Sequence, residues 1–141
     1  MTDYQDMSGI WRGEFRYEDA TDDSSVNFTV WFRDLESGLS GNSLEPNTFA
    51  PGAANELSAV FYGHRNGLSF SLSKTYTCEL GFHDGSISYE GEVSLDFATA
   101  HGTWSYPEYP QPRGTFQLTR LSQKQFVKAE RHAGVNIGLR R

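Results

Sequence analysis

Between residues 68 and 76 the chain alternates with a period of two: Leu68, Phe70, Leu72, Lys74 and Tyr76 fall on one side, Ser69, Ser71, Ser73 and Thr75 on the other. A strand sends successive side chains to opposite faces, so such a stretch buries its apolar face only as part of a sheet. The same period recurs along the chain. Trp11, Phe15 and Tyr17 alternate with Arg12, Glu14 and Arg16, and Val26, Phe28, Val30 and Phe32 with Asn27, Thr29, Trp31 and Arg33. Leu57, Ala59 and Phe61 alternate with Ser58, Val60 and Tyr62, and Ile87, Tyr89, Gly91 and Val93 with Ser86, Ser88, Glu90 and Glu92. A glycine-bearing stretch, 38–44, and the segments 96–106 and 113–121 bring the total to about eight strands.

The connections are short. They comprise an acidic loop after Tyr17, a turn at Arg65-Asn66-Gly67 with the Asn-Gly pair that tight hairpins prefer, a Gly- and Asp-containing turn before Ser86, and a proline-rich turn at 107–112. The longest connection follows Leu44 and runs through Asn55. None has room for the crossover helix that parallel strands require. The predicted fold class is therefore all-β, a closed antiparallel up-and-down β-barrel of about eight strands, since closure removes exposed sheet edges. A sandwich is the competing arrangement.

At 141 residues the chain suits one domain. The barrel is expected within 1–121, with strands from about residue 9, and 122–141 as a short C-terminal helix or basic tail. Aromatic residues make up 14% of the chain, enough to build a core from rings. The net charge of −6 is uneven: residues 122–141 set five cations against Glu130, a net +4, and leave −10 on the rest. An acidic body argues against nucleic-acid binding. No apolar run approaches the roughly 20 residues of a spanning helix, and the N-terminus lacks a basic region followed by an apolar one. With Cys78 as the single cysteine, no internal disulfide can form. These features lead us to expect a cytoplasmic protein with no membrane partner.

Gly9-Ile10-Trp11 opens the first strand and Arg120 lies late in the last. This pairing resembles the calycin group of barrels: lipocalins, avidins and fatty-acid-binding proteins. The resemblance implies that Trp11 and Arg120 meet where the first and last strands close the barrel, a structural cation–π contact worth roughly 0.5–2 kcal/mol. The chain departs from lipocalins in lacking disulfides and secretion features. It departs from fatty-acid-binding proteins in lacking room for a helix pair between the first two strands, and no pattern carries over the biotin contacts of avidins.

Charged and phenolic side chains on otherwise apolar faces are the most informative irregularity. Lys74, Arg120, Tyr17, Tyr76 and Tyr89 share registers with Phe, Leu, Ile and Trp, and a buried cation demands a partner. One reading is a ligand pocket whose polar end is formed by Arg120 or Lys74 with the tyrosine hydroxyls, and whose apolar part is formed by Phe28, Phe32, Phe61, Phe70 and Phe116. The structural reading, which we weigh more heavily, places Lys74 at a strand end in water and leaves Arg120 to stack on Trp11. Glu45 lies where a loop could fold over the barrel mouth, and a carboxylate there could steer a ligand or act as a base; the ordinary reading is a solvated acid of the long loop. The histidines at 64, 83, 101 and 132 have no metal-ligand spacing, Cys78 has no activating neighbour, and no cofactor or metal is expected.

No nucleophile elbow, phosphate loop or dinucleotide fingerprint occurs. The leading expectation is noncatalytic binding of a small hydrophobic or amphipathic molecule inside the barrel. Two alternatives stay open. One is a small β-barrel enzyme, an isomerase, cyclase or lyase acting on an apolar substrate; the other is an interaction module with a filled barrel, forming a homo-oligomer through outward Trp31 and Val60.

Overall fold

A computed structural model describes residues 4–18, 25–46, 55–77 and 86–121. Its strands are β1 (Gly9–Tyr17), β2 (Val26–Leu35), β3 (Gly38–Pro46), β4 (Glu56–Asn66), β5 (Ser69–Tyr76), β6 (Ile87–Val93), β7 (Thr99–Ser105) and β8 (Arg113–Arg120). Each pairs antiparallel with the next, and β1 pairs with β8, so the sheet is a closed up-and-down barrel. The all-β class, the closure and the strand order agree with the period-two pattern. The region expected as a C-terminal helix or tail, together with Cys78, His83 and His132, lies outside the described residues. Among the described residues no helix is long and apolar enough to cross a membrane.

Alternation becomes burial. On β5, Phe70, Leu72, Lys74 and Tyr76 are buried, and Ser69, Ser71 and Ser73 between them are exposed. On β8, Gly114, Phe116, Leu118 and Arg120 are buried, with exposed residues between. The interior is thereby lined almost wholly by rings and branched aliphatics, which supply most of the driving force for closure.

Three boundaries differ from the sequence reading, each for a local reason. Strand β3 runs on to Pro46, because Glu45 and Pro46 still pair with Leu57 and Glu56 of β4. Arg65 and Asn66 stay in β4, paired with Phe70 and Ser69, so the hairpin turn is Gly67-Leu68. Gly67 takes φ +66° at the first central position, where only glycine is unstrained, and Leu68 sits on the turn against the core. Strand β7 begins at Thr99, not at 96. The Asp96 carboxylate accepts from the Ala98 N–H (3.1 Å) and the Ser94 hydroxyl from the Thr99 N–H (3.0 Å), and such local bonds favour a turn over a ladder.

The two ends of the barrel are built differently. At one end, Trp11 stands opposite Arg120 in the β1–β8 ladder, and the guanidinium lies 4.6 Å from the ring centroid. Tyr4 covers its other side at 3.9 Å. Arg120 donates through Nε to the Phe97 carbonyl (2.9 Å) and through its other nitrogens to the Ser8 and Asp6 carbonyls. Residues preceding β1 thus form the floor, with Met7 fully buried and its N–H donating to Asp34 Oδ2 (2.8 Å). Asp34 also pairs with Arg65 at 2.5 Å, tying this floor to the β4–β5 hairpin.

Candidate functional site

At the opposite end, where β1, β3 and β5 finish and β2, β4 and β6 begin, the inward faces carry charge. Strand β3 presents Leu39, Gly41, Ser43 and Glu45 inward, and Leu39, Ser43 and Glu45 are at most 2% exposed. Strand β5 presents Lys74 and Tyr76. The Lys74 ammonium donates to Glu45 Oε1 at 2.6 Å, and the Tyr76 hydroxyl donates to Glu45 Oε2 at 2.8 Å. Neither charged side chain has measurable contact with solvent. Glu45 is therefore not the solvated loop acid expected from sequence, nor does Lys74 sit in water at a strand end. Both expectations fail for one reason: β3 is two residues longer than its glycine-bearing stretch, and the added pleat turns Glu45 toward the cation.

Rings enclose the ion pair. The Lys74 nitrogen lies 5.1 Å from the Phe15 centroid, 5.3 Å from Phe28, 5.7 Å from Phe61, 4.8 Å from Tyr76 and 5.7 Å from Tyr89. Aromatic faces attract a desolvated cation, so the cage recovers part of what burial removes. Burial pushes the Lys74 pKa down from the ordinary amine value, and the adjacent Glu45 carboxylate opposes that shift. Burial first and the Glu45 charge second hold the Tyr76 and Tyr89 phenols protonated well above their usual range.

One polar atom of this end is unmatched. The Ser43 hydroxyl, two residues before Glu45 on the same inward face, is buried with no hydrogen-bond partner among the described residues. Buried hydroxyls are almost always bonded, and one left alone costs about 1–3 kcal/mol. Tyr76→Phe would orphan a second group, an oxygen of Glu45. It should lower stability by about 1–3 kcal/mol in urea titration; a variant as stable as the parent would show that this bond contributes nothing.

The rim above is aromatic and partly wet. Tyr17 is 37% exposed and meets Trp104 edge-on at 5.2 Å; Trp104 also contacts Phe15 (5.8 Å) and Tyr106 (6.5 Å). Trp104 is fixed by its indole N–H, which donates to the Arg16 carbonyl at 3.1 Å.

Of the residues singled out from sequence, most form one connected set. Phe61 stacks on Phe28 and meets Phe32 and Tyr89 edge-on. Tyr89 contacts Phe116, which contacts Phe70. Lys74 and Tyr76 lie among them, and Tyr17 joins through Phe15 at 6.0 Å. Arg120 does not join. It lies at the closed end, four β1 positions from Phe15 by pairing and ~13 Å along the strand, its donors turned to backbone carbonyls. Ser43 and Phe15 are not singled out by the sequence, and Glu45 is weighed there as a residue of a loop over the barrel mouth, not of a strand facing inward. Continuing the alternation of Leu39, Gly41 and Ser43 by one more step would have brought Glu45 inward.

Outside the barrel, a groove of about 340 Å³ runs between β5, β6 and β7, bordered by Phe70, Glu90, Glu92 and His101. Trp31 is half-buried and Val60 is 40% exposed on the outer wall. Among the described residues no group of three or more His, Cys, Asp or Glu side chains could hold a metal ion. No protein-family model matches the chain, and no curated protein matches it.

Proposed function

We propose that this protein binds a small amphipathic molecule at the aromatic-rimmed end of the barrel, as a calycin-like carrier. The apolar body lies against Tyr17, Trp104 and Tyr106, and the polar head reaches the cluster of Lys74, Glu45, Tyr76 and Ser43. The observation that carries the reading is a fully buried ion pair inside a ring-lined barrel, beside a buried hydroxyl with no partner among the described residues. Stability alone does not account for it, because apolar side chains of similar volume hold a core at least as well as a buried ion pair. A few convergent polar groups set in an apolar concave surface are the usual composition of a small-molecule site. The kinship with calycins is supported by Gly9-Ile10-Trp11 at the start of β1 and by Arg120 lying across Trp11.

Titration with solvent-sensitive naphthalene fluorophores, paired with native mass spectrometry, tests the proposal. The expected result is saturable one-to-one binding that Tyr17→Ala weakens by about tenfold, the loss of one aromatic contact surface. Absence of saturable binding to any apolar probe would overturn it.

A further inference from the structure

Among the described residues the buried charges at this end cancel. Lys74 and Glu45 lie 2.6 Å apart, and the other buried cation among those residues, Arg120, is at the far end with its donors on backbone carbonyls. A carboxylate head would meet the Glu45 carboxylate, whose side chain has no solvent exposure, and like charges screened from water repel strongly. An ammonium head would meet Lys74 in the same way. What the cluster has in surplus is donors: an ammonium carries three N–H groups, and Lys74 directs one to Glu45 while rings surround the rest. Ser43 adds a hydroxyl that can donate.

We infer that the head group taken here is uncharged and carries a carbonyl acceptor, as in a ketone, ester or amide, and that Glu45 is the residue that rejects carboxylates. This rests on the reading of this end as a ligand site and adds its chemical class. Glu45 acts by occupying Lys74: it removes the cation that would otherwise pair with an acid, and it leaves N–H donors for a neutral acceptor. Tyr76 supports the role by donating to the other Glu45 oxygen, which holds the carboxylate in place.

The test compares a dialkylaminonaphthyl ketone with the matching dialkylaminonaphthyl carboxylate, by fluorescence titration of the unmodified protein and of Glu45→Gln. The wild type should bind the ketone about a hundredfold more tightly than the carboxylate. In Glu45→Gln, Lys74 has no counter-ion, and the ratio of carboxylate to ketone affinity should rise by at least about tenfold; a ratio unchanged from the wild type in a folded variant would overturn the role given to Glu45. If the wild type binds the carboxylate as tightly as the ketone, the inference fails and the reading of the site survives. If it binds neither, the site reading itself is overturned and the inference with it. The wild-type comparison stands whether or not the variant folds.

Discussion

Lys74→Met is expected to lower the unfolding free energy by about 3–5 kcal/mol, and Lys74→Met combined with Glu45→Gln to recover at least half of that loss. The single change removes the cation and leaves the Glu45 carboxylate buried, with the Tyr76 hydroxyl as its one remaining donor among the described residues. A domain of this size is stable by only about 5–15 kcal/mol, so the single variant should be visibly compromised. In the double variant neither charge of the pair is left buried, Met fills the volume of the lysine stem, and Gln still accepts from Tyr76. A double-mutant cycle in urea therefore reads the coupling between the two charges directly. Additive losses would show that the 2.6 Å contact is incidental to stability.

Trp11→Ala should cost about 3–5 kcal/mol, the range for removing a large buried aromatic from a core that cannot collapse around the space. The Trp11 ring is fully buried, touches Phe32 edge-on at 6.5 Å, donates to the Met7 carbonyl at 2.9 Å and supports the Arg120 guanidinium. Trp11→Phe keeps a ring beneath the cation and loses the N–H, so its cost should be about 1–2 kcal/mol. Because this stack and the Lys74 cluster are ~13 Å apart along β1, probe affinity should not change in whatever fraction of Trp11→Phe remains folded. A large drop in probe affinity there would contradict the assignment of the two ends to separate tasks.

Several elements were legible before any tertiary information. The serines of β5 and the rings facing them mark a sheet with one wet face, and short connections permit only antiparallel neighbours. The inward tyrosines and phenylalanines were also readable, since parity on a strand depends on position alone. Local chemistry misled in two places. Asn66-Gly67 suggested a turn one residue early, because in this hairpin Asn66 belongs to the last paired rung. Glu45, followed by proline in a turn-rich stretch, read as solvated because its residue type outweighed its parity.

The sequence by itself determined that this chain is a set of eight half-buried strands and which side chains each strand turns inward, because side-chain direction in a strand follows a period of two and every connection is short. Only the tertiary structure decided which inward groups meet. Lys74 and Glu45 are separated by 29 residues and stand on strands that do not pair with one another; both strands pair with β4, and it is across β4 that their inward side chains meet. Their mutual burial follows from strand length and ladder register, which depend on cross-strand bonds that no single segment encodes.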